Sequence, residues 1–191
     1  MKRPLRIFGF VVLLMSSSAQ AHQVRHLVKS DQAFAHFIQT IRSAQKTLDV
    51  ATYIFEPCHA STQVLLRELE ARVKAGVQVR VLLDAISQKS KNRQPLADAF
   101  ARAGIRLALY SAKVGPGINL RMHSKMLIAD KVRFIAGGRN LSDSYFGLDT
   151  SYNFTDDDLF VEGESAARQA SLAFEELWNA EMTQKTKGDA R

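Results

Sequence analysis

The chain has 191 residues, with 26 Lys and Arg against 19 Asp and Glu, a net charge of +7. One cysteine, Cys58, excludes a disulfide-stapled scaffold, and the length allows a single domain with a normal hydrophobic core. Residues 1–21 hold three of the basic residues and none of the acidic ones, which leaves 23 against 19, or +4, on the remainder. That balance suits phosphate-bearing partners but is below the charge density of a dedicated nucleic-acid binder.

In chain order, Lys2, Arg3 and Arg6 precede an apolar run from Ile7 to Met15, and small and polar residues follow as far as Ala21. This is the three-part pattern of a secretory signal, with cleavage expected after Ala21 and export to the periplasm or the cell exterior. The run is too short for a bilayer span. A single domain is expected over 22–183, with 184–191 as a polar, disordered tail. Cys58 is expected to be buried and inert, with a cross-chain bridge as the alternative.

Ser30 reads as the N-cap of a helix carrying Phe34, Phe37, Ile38 and Ile41 at helical spacing. TLDVATYIF (47–55) reads as a buried strand. Leu65, Leu66, Leu69 and Val73 mark a second helix stopping at Gly76. VQVRVLLD (77–84) is a β-branched strand, Pro95 opens a third helix ending near Gly104, and IRLALY (105–110) is the next strand. After the loop SAKVGPGIN (111–119), RMHSKMLIA (121–129) and VRFIA (132–136) form a hairpin around Asp130 and Lys131. DLFVEG (158–163) is a further strand, and a last helix runs from about Ser165 to Met182, offering Leu172, Phe174, Leu177 and Trp178 to the core. The alternation predicts an α/β fold, a sheet covered on both faces by helices.

The chemistry concentrates in RMHSKMLIADKVRFIAGGRN (121–140). On a strand, residues two apart share a face, so His123 and Lys125 project together. An imidazole is a competent nucleophile toward phosphorus, and a neighbouring ammonium stabilises charge building on phosphoryl oxygens. Gly137 and Gly138 allow close approach of backbone amides to an anion, and Asn140 offers a side-chain amide. These elements describe a phosphodiester site that needs no metal and no cofactor. H-x-K is not metal-ligand spacing, because an ammonium repels a cation.

The stretch resembles the HKD signature of the phospholipase D superfamily, H-x-K-x4-D-x6-G-[SG]-x-N, at His123, Lys125, Asp130, Gly137, Gly138 and Asn140. GGRNLSDSYFG (137–147) is most similar to the first motif of bacterial cardiolipin synthase-like enzymes, although Ser144 stands where those usually carry glutamate. The resemblance implies a phospholipase D-like fold with a mixed central sheet, attack by His123 to give a phosphohistidine, and a second histidine that protonates the departing alcohol. It also implies a carboxylate on a later strand to orient the histidine. Asp158 takes that role, with Asp156 and Asp157 as nearby alternatives, and Asp130 is weighed more as a brace of the hairpin turn than as a substrate contact.

No second H-x-K frame exists. His22 and His26 fall in the new N-terminus, expected to be mobile, His36 on a polar helix face, and His59 in a loop. A homodimer with one shared site, as in small exported endonucleases of the superfamily, supplies the second histidine; half of a two-motif lipid enzyme is the other explanation. A phospholipid is the expected substrate, with peripheral membrane contact, and Tyr145, Phe146, Tyr152 and Phe154 are candidates for an acyl-chain entrance, against ordinary core packing. The alternatives are a nucleic acid, for which KSKNR (89–93) is the only dense basic patch, and a non-catalytic binding domain.

Overall fold

The structure, a computed structural model, describes residues 23–88, 90–111, 114–115 and 118–185. The leader expected over 1–21 and the final residues 186–191 lie outside the described residues. The elements in order are β1 (Gln23–Leu27), α1 (Ser30–Ser43), β2 (Thr47–Thr52), α2 (Ala60–Lys74), β3 (Gln78–Asp84), α3 (Ser90–Arg102), β4 (Arg106–Tyr110), β5 (Val114–Gly115), β6 (Ile118–Asn119), β7 (Met126–Ala129), β8 (Arg133–Gly137), a 3-10 turn (Asp143–Tyr145), β9 (Asp158–Glu162), α4 (Glu164–Trp178) and β10 (Thr183–Lys185).

Eight strands form one sheet in the order β1-β9-β8-β7-β2-β3-β4-β10, while β5 and β6 pair separately within the 111–119 segment. The pairs β2–β3 and β3–β4 are parallel and the rest are antiparallel, so the sheet is mixed. The parallel pairs follow from the helical crossovers α2 and α3. Successive residues of β3 alternate between two cores. Val79, Val81 and Leu83 pack with Phe37, Ile41, Leu65, Leu69, Leu96 and Phe100 from α1, α2 and α3. Leu82 faces the other way, toward Phe174 and Trp178 of α4. Both faces are therefore covered, as the strand–helix alternation predicts.

Several boundaries differ from the sequence reading. Ser30 is the first helical residue and Lys29 occupies the cap position, without a side-chain hydrogen bond. Pro95 lies inside α3, which begins at Ser90; the ring removes one intrahelical donor without ending the helix. Regular pairing of the motif strand starts only at Met126, because Arg121 and Met122 are held by the Asp84 carboxylate instead of a ladder. Leu172 is exposed, and α4 buries Ala167, Ser171, Phe174 and Trp178. The N-terminal segment is an edge strand, since Gln23–Leu27 pairs with β9. The polar tail begins with a strand, Thr183–Lys185, on β4. Gly76 and Gly104 sit past α2 and α3 with positive φ of 87° and 70°, as expected of C-terminal glycines.

Candidate phosphodiester site

His123 and Lys125 lie in the irregular segment that leads into β7, yet their side chains meet. Lys125 Nζ is 3.0 Å from His123 Nδ1 and donates to the His123 carbonyl at 2.7 Å. His123 is exposed, whereas Lys125 is buried. Burial pushes the Lys125 ammonium below the usual lysine range, and the Asp156 carboxylate partly opposes that shift. An ammonium can only donate, so Nδ1 accepts and the neutral ring carries its proton on Nε2.

The segment is held from β3. Asp84, at the end of that strand, is fully buried and accepts from Arg121 Nη2 at 2.8 Å and from the Met122 amide at 3.0 Å. Although burial alone raises a carboxyl, these donors and Ser87 hold Asp84 below the usual carboxylate range. Gln88 donates to the Tyr53 and Asp84 carbonyls, locking the ends of β2 and β3 together. None of Tyr53, Asp84, Gln88 or Arg121 was singled out from sequence. Their only local signal is position, at strand ends or two residues before His123.

The other motif residues have structural partners. Asp130 accepts the amides of Gln45, Lys46 and Thr47 at 2.7–2.9 Å, bracing the chain into β2. Both of its carboxylate oxygens are engaged in this brace. Asp130 and Lys131 both have positive φ, 54° and 56°, as a tight primed hairpin turn demands. Asn140 is buried, accepts from the Ile54 amide at 3.1 Å and donates to the Tyr145 hydroxyl at 2.9 Å, so its amide holds the motif loop against β2's exit. The Gly137 and Gly138 amides bond to the Lys125 and Asp157 carbonyls. What the glycines allow is close packing: a Cβ at Gly137 would collide with Asp157 and Asp158, and one at Gly138 with the Asp156 carboxylate.

Asp158, expected to orient a histidine, instead pairs with Arg139. Its carboxylate accepts from Arg139 Nη1 at 2.9 Å, and both side chains are fully buried. Burial nevertheless leaves the Asp158 carboxyl raised above its ordinary value. Arg139 also donates to the carbonyls of Leu27, Val28, Tyr145 and Asp156. It is the structural hub that the sequence reading missed, though it stands inside GGRN. Asp156 is the carboxylate that lies against Gly138 and supports Lys125.

The remaining histidines are placed as follows. His59 accepts from the Asp143 amide at 3.0 Å, and Asp143 in turn caps α2 through the amides of Ala60 and Ser61. His36 packs on Phe160. His26 bonds Asp157 on the edge strand, lining a cleft of about 630 Å³ with Gly137, Gly138 and Asp156. Cys58 is exposed, contrary to expectation. Of the four aromatics, Phe146 is core, against Phe34 and Phe37. The other three form a surface ladder: Tyr145 stacks on Phe154 at 4.6 Å, and Phe154 meets Tyr152 edge-on at 4.9 Å. Tyr152 is 62% exposed and Phe154 40%. Of KSKNR, Ser90–Arg93 open α3, and Lys89 lies outside the described residues. Among the described residues no cluster of three or more His, Cys, Asp or Glu could hold a metal ion, and no helix is long and apolar enough to cross a membrane.

Comparison with known proteins gives relatives in sequence and in fold. Cardiolipin synthase C of Escherichia coli is 34% identical over 154 residues, covering 72% of this chain and 31% of that protein. The chain thus spans about a third of the curated relatives it matches. Nuc, a phospholipase D family member from Salmonella typhimurium, superposes with a TM-score of 0.65 at 20% identity, over 86% of this chain and 97% of Nuc. NucT from Helicobacter pylori superposes with a TM-score of 0.68 at 18% identity, over 82% of this chain and 96% of NucT. The family described as cardiolipin synthase, PLD-like domain, matches residues 37–178, and the chain belongs to it.

Proposed function

We propose that the protein is an exported, metal-independent phosphodiesterase that acts on phospholipids through a phosphohistidine on His123, as a homodimer with one shared site. The observation that carries this reading is the His123–Lys125 pair, 3.0 Å apart, in an intact motif. In the first step, His123 Nε2 forms a bond to phosphorus while the bond to the alcohol breaks. The alcohol oxygen takes a proton from the His123 of a second copy, which enters the step as the imidazolium and leaves it as the neutral ring. Water or another alcohol then attacks the phosphohistidine, returning its proton to that second histidine. A two-fold axis brings the second histidine without any new motif.

The lip of the site favours a lipid over a polynucleotide. Residues 141–162 hold no Lys or Arg, and although Asp158 is buried against Arg139, Asp149, Asp156 and Asp157 leave the segment acidic, which would repel the flanking phosphates of a nucleic acid. The Tyr145–Phe154–Tyr152 ladder on the same segment offers apolar surface to an acyl or glycerol portion. Export, read from residues 1–21, would put the enzyme where lipid is accessible.

Hydrolysis of bis(p-nitrophenyl) phosphate tests the reaction. The wild-type chain is expected to turn over in the presence of chelator, and His123→Asn to lose at least about 10³-fold, the cost of removing a nucleophile. A variant as active as wild type would exclude His123 as nucleophile. Competition between phosphatidylglycerol vesicles and single-stranded DNA then tests the substrate: vesicles should inhibit, and inhibition by DNA alone would favour a nuclease.

A further inference from the structure

Tyr53 stands one residue beyond the end of β2, with its carbonyl held by Gln88 Nε2 at 2.9 Å and by the Ser87 hydroxyl. Its side chain reaches into the motif. The ring centroid is 4.6 Å from that of His123, 5.2 Å from Lys125 Nζ and 5.0 Å from Arg121 Cζ. Three groups able to carry positive charge thus share one aromatic ring. Among the described residues the Tyr53 hydroxyl has no hydrogen-bond partner; it bears on Arg121 through its charge, while the contacts to His123 and Lys125 are made by the ring.

We propose that Tyr53 is a positioning residue of the phosphoryl site, its ring holding His123 and Lys125 in place for attack. The proposal rests on the phosphodiesterase reading of that site. The π face of an aromatic ring carries negative potential and attracts cations. A carboxylate in the same place would gather the cations more strongly but would neutralise the charge that a phosphoryl group needs. A ring gathers Lys125 and Arg121 and leaves their charge available. The charged groups around it are accounted for: Asp84 pairs with Arg121, and Asp156 acts on Lys125. When Lys125 leaves His123 Nδ1 for the substrate, the Tyr53 ring is the contact that still orients the imidazole.

The test uses Tyr53→Leu, Tyr53→Met and Tyr53→Phe in the full chain, each checked for folding by thermal melting. Met approximates the volume without a ring if Leu fails to fold. On bis(p-nitrophenyl) phosphate, the variants without a ring are expected to lose about 10- to 100-fold in kcat, as for a misplaced reacting group, with KM little changed. Tyr53→Phe should stay within about threefold of wild type, because the ring is kept. NMR of the His123 ring protons gives a readout independent of turnover: at 4.6 Å the Tyr53 ring current displaces their shifts, and that displacement should vanish without the ring and persist in Tyr53→Phe. A Phe variant as impaired as Leu, or a ring-free variant with unchanged kcat or unchanged His123 shifts, would overturn the proposal. If wild type has no diesterase activity, the phosphodiesterase reading fails, and the His123 shifts alone still decide whether Tyr53 positions His123.

Discussion

Lys125 shows how one residue's environment sets the working range of the site. In the proposed reaction the phosphoryl group needs the ammonium, so activity should fall as pH rises through the Lys125 pKa. Burial pushes that pKa below the ordinary lysine range, so the fall is expected at lower pH than for a free lysine, about 10.4. Asp156 supports the charged form, and Asp156→Asn should move the alkaline limb of kcat/KM further down in pH. A limb unmoved in that variant would mean that Asp156 does not act on Lys125. His123 and Lys125 were legible in sequence because their chemistry is tied to their spacing. The roles of Asn140, Gly137 and Gly138 were not, because what their groups meet, Ile54, Tyr145 and the 156–158 carboxylates, comes from distant parts of the chain.

At the scale of elements, the junction of β1, the 137–140 loop and the start of β9 depends on Arg139. Its guanidinium joins the Leu27 and Val28 carbonyls, 112 and 111 residues away, to Asp158. Arg139→Leu would strand a buried carboxylate and unpaired carbonyls, and should cost about 3–5 kcal/mol in chemical denaturation. Arg139→Leu combined with Asp158→Leu should recover part of that loss, since the unpaired charge is then gone. A double variant no more stable than the single would mean that the carbonyl contacts, not the ion pair, dominate. The strands and helices were readable from periodicity, while their ends were decided by tertiary capping. Asp143 satisfies the first amides of α2 from 82 and 83 residues away, and Asp84 replaces ladder bonds before β7.

For the whole molecule, a shared site has a quantitative consequence. In the proposed dimer each site would need two intact histidines, so random mixing of wild-type and His123→Asn subunits in equal amounts would leave about one quarter of the dimers fully wild type. Activity should follow that fraction. A fall to about one half would instead mean that each copy works alone. The edge strand β1 and the 630 Å³ cleft beside Gly137 and Gly138 lie along one border of the sheet, next to the strand that carries Asp158. His26 and Asp157 meet there across 131 residues of chain, a contact no local pattern announces.

The amino-acid sequence by itself determined the α/β class, the cover of helices on both faces and the motif of His123, Lys125 and Asn140. Each of these is a periodicity or spacing within a short stretch, and local sterics and side-chain chemistry suffice to read it. The tertiary structure alone decided that Asp158 answers Arg139, that Asp84 anchors the motif through Arg121, and that Tyr53 faces His123. Those pairings follow from which strands lie side by side, and burial makes each polar group find the partner that the fold brings within reach.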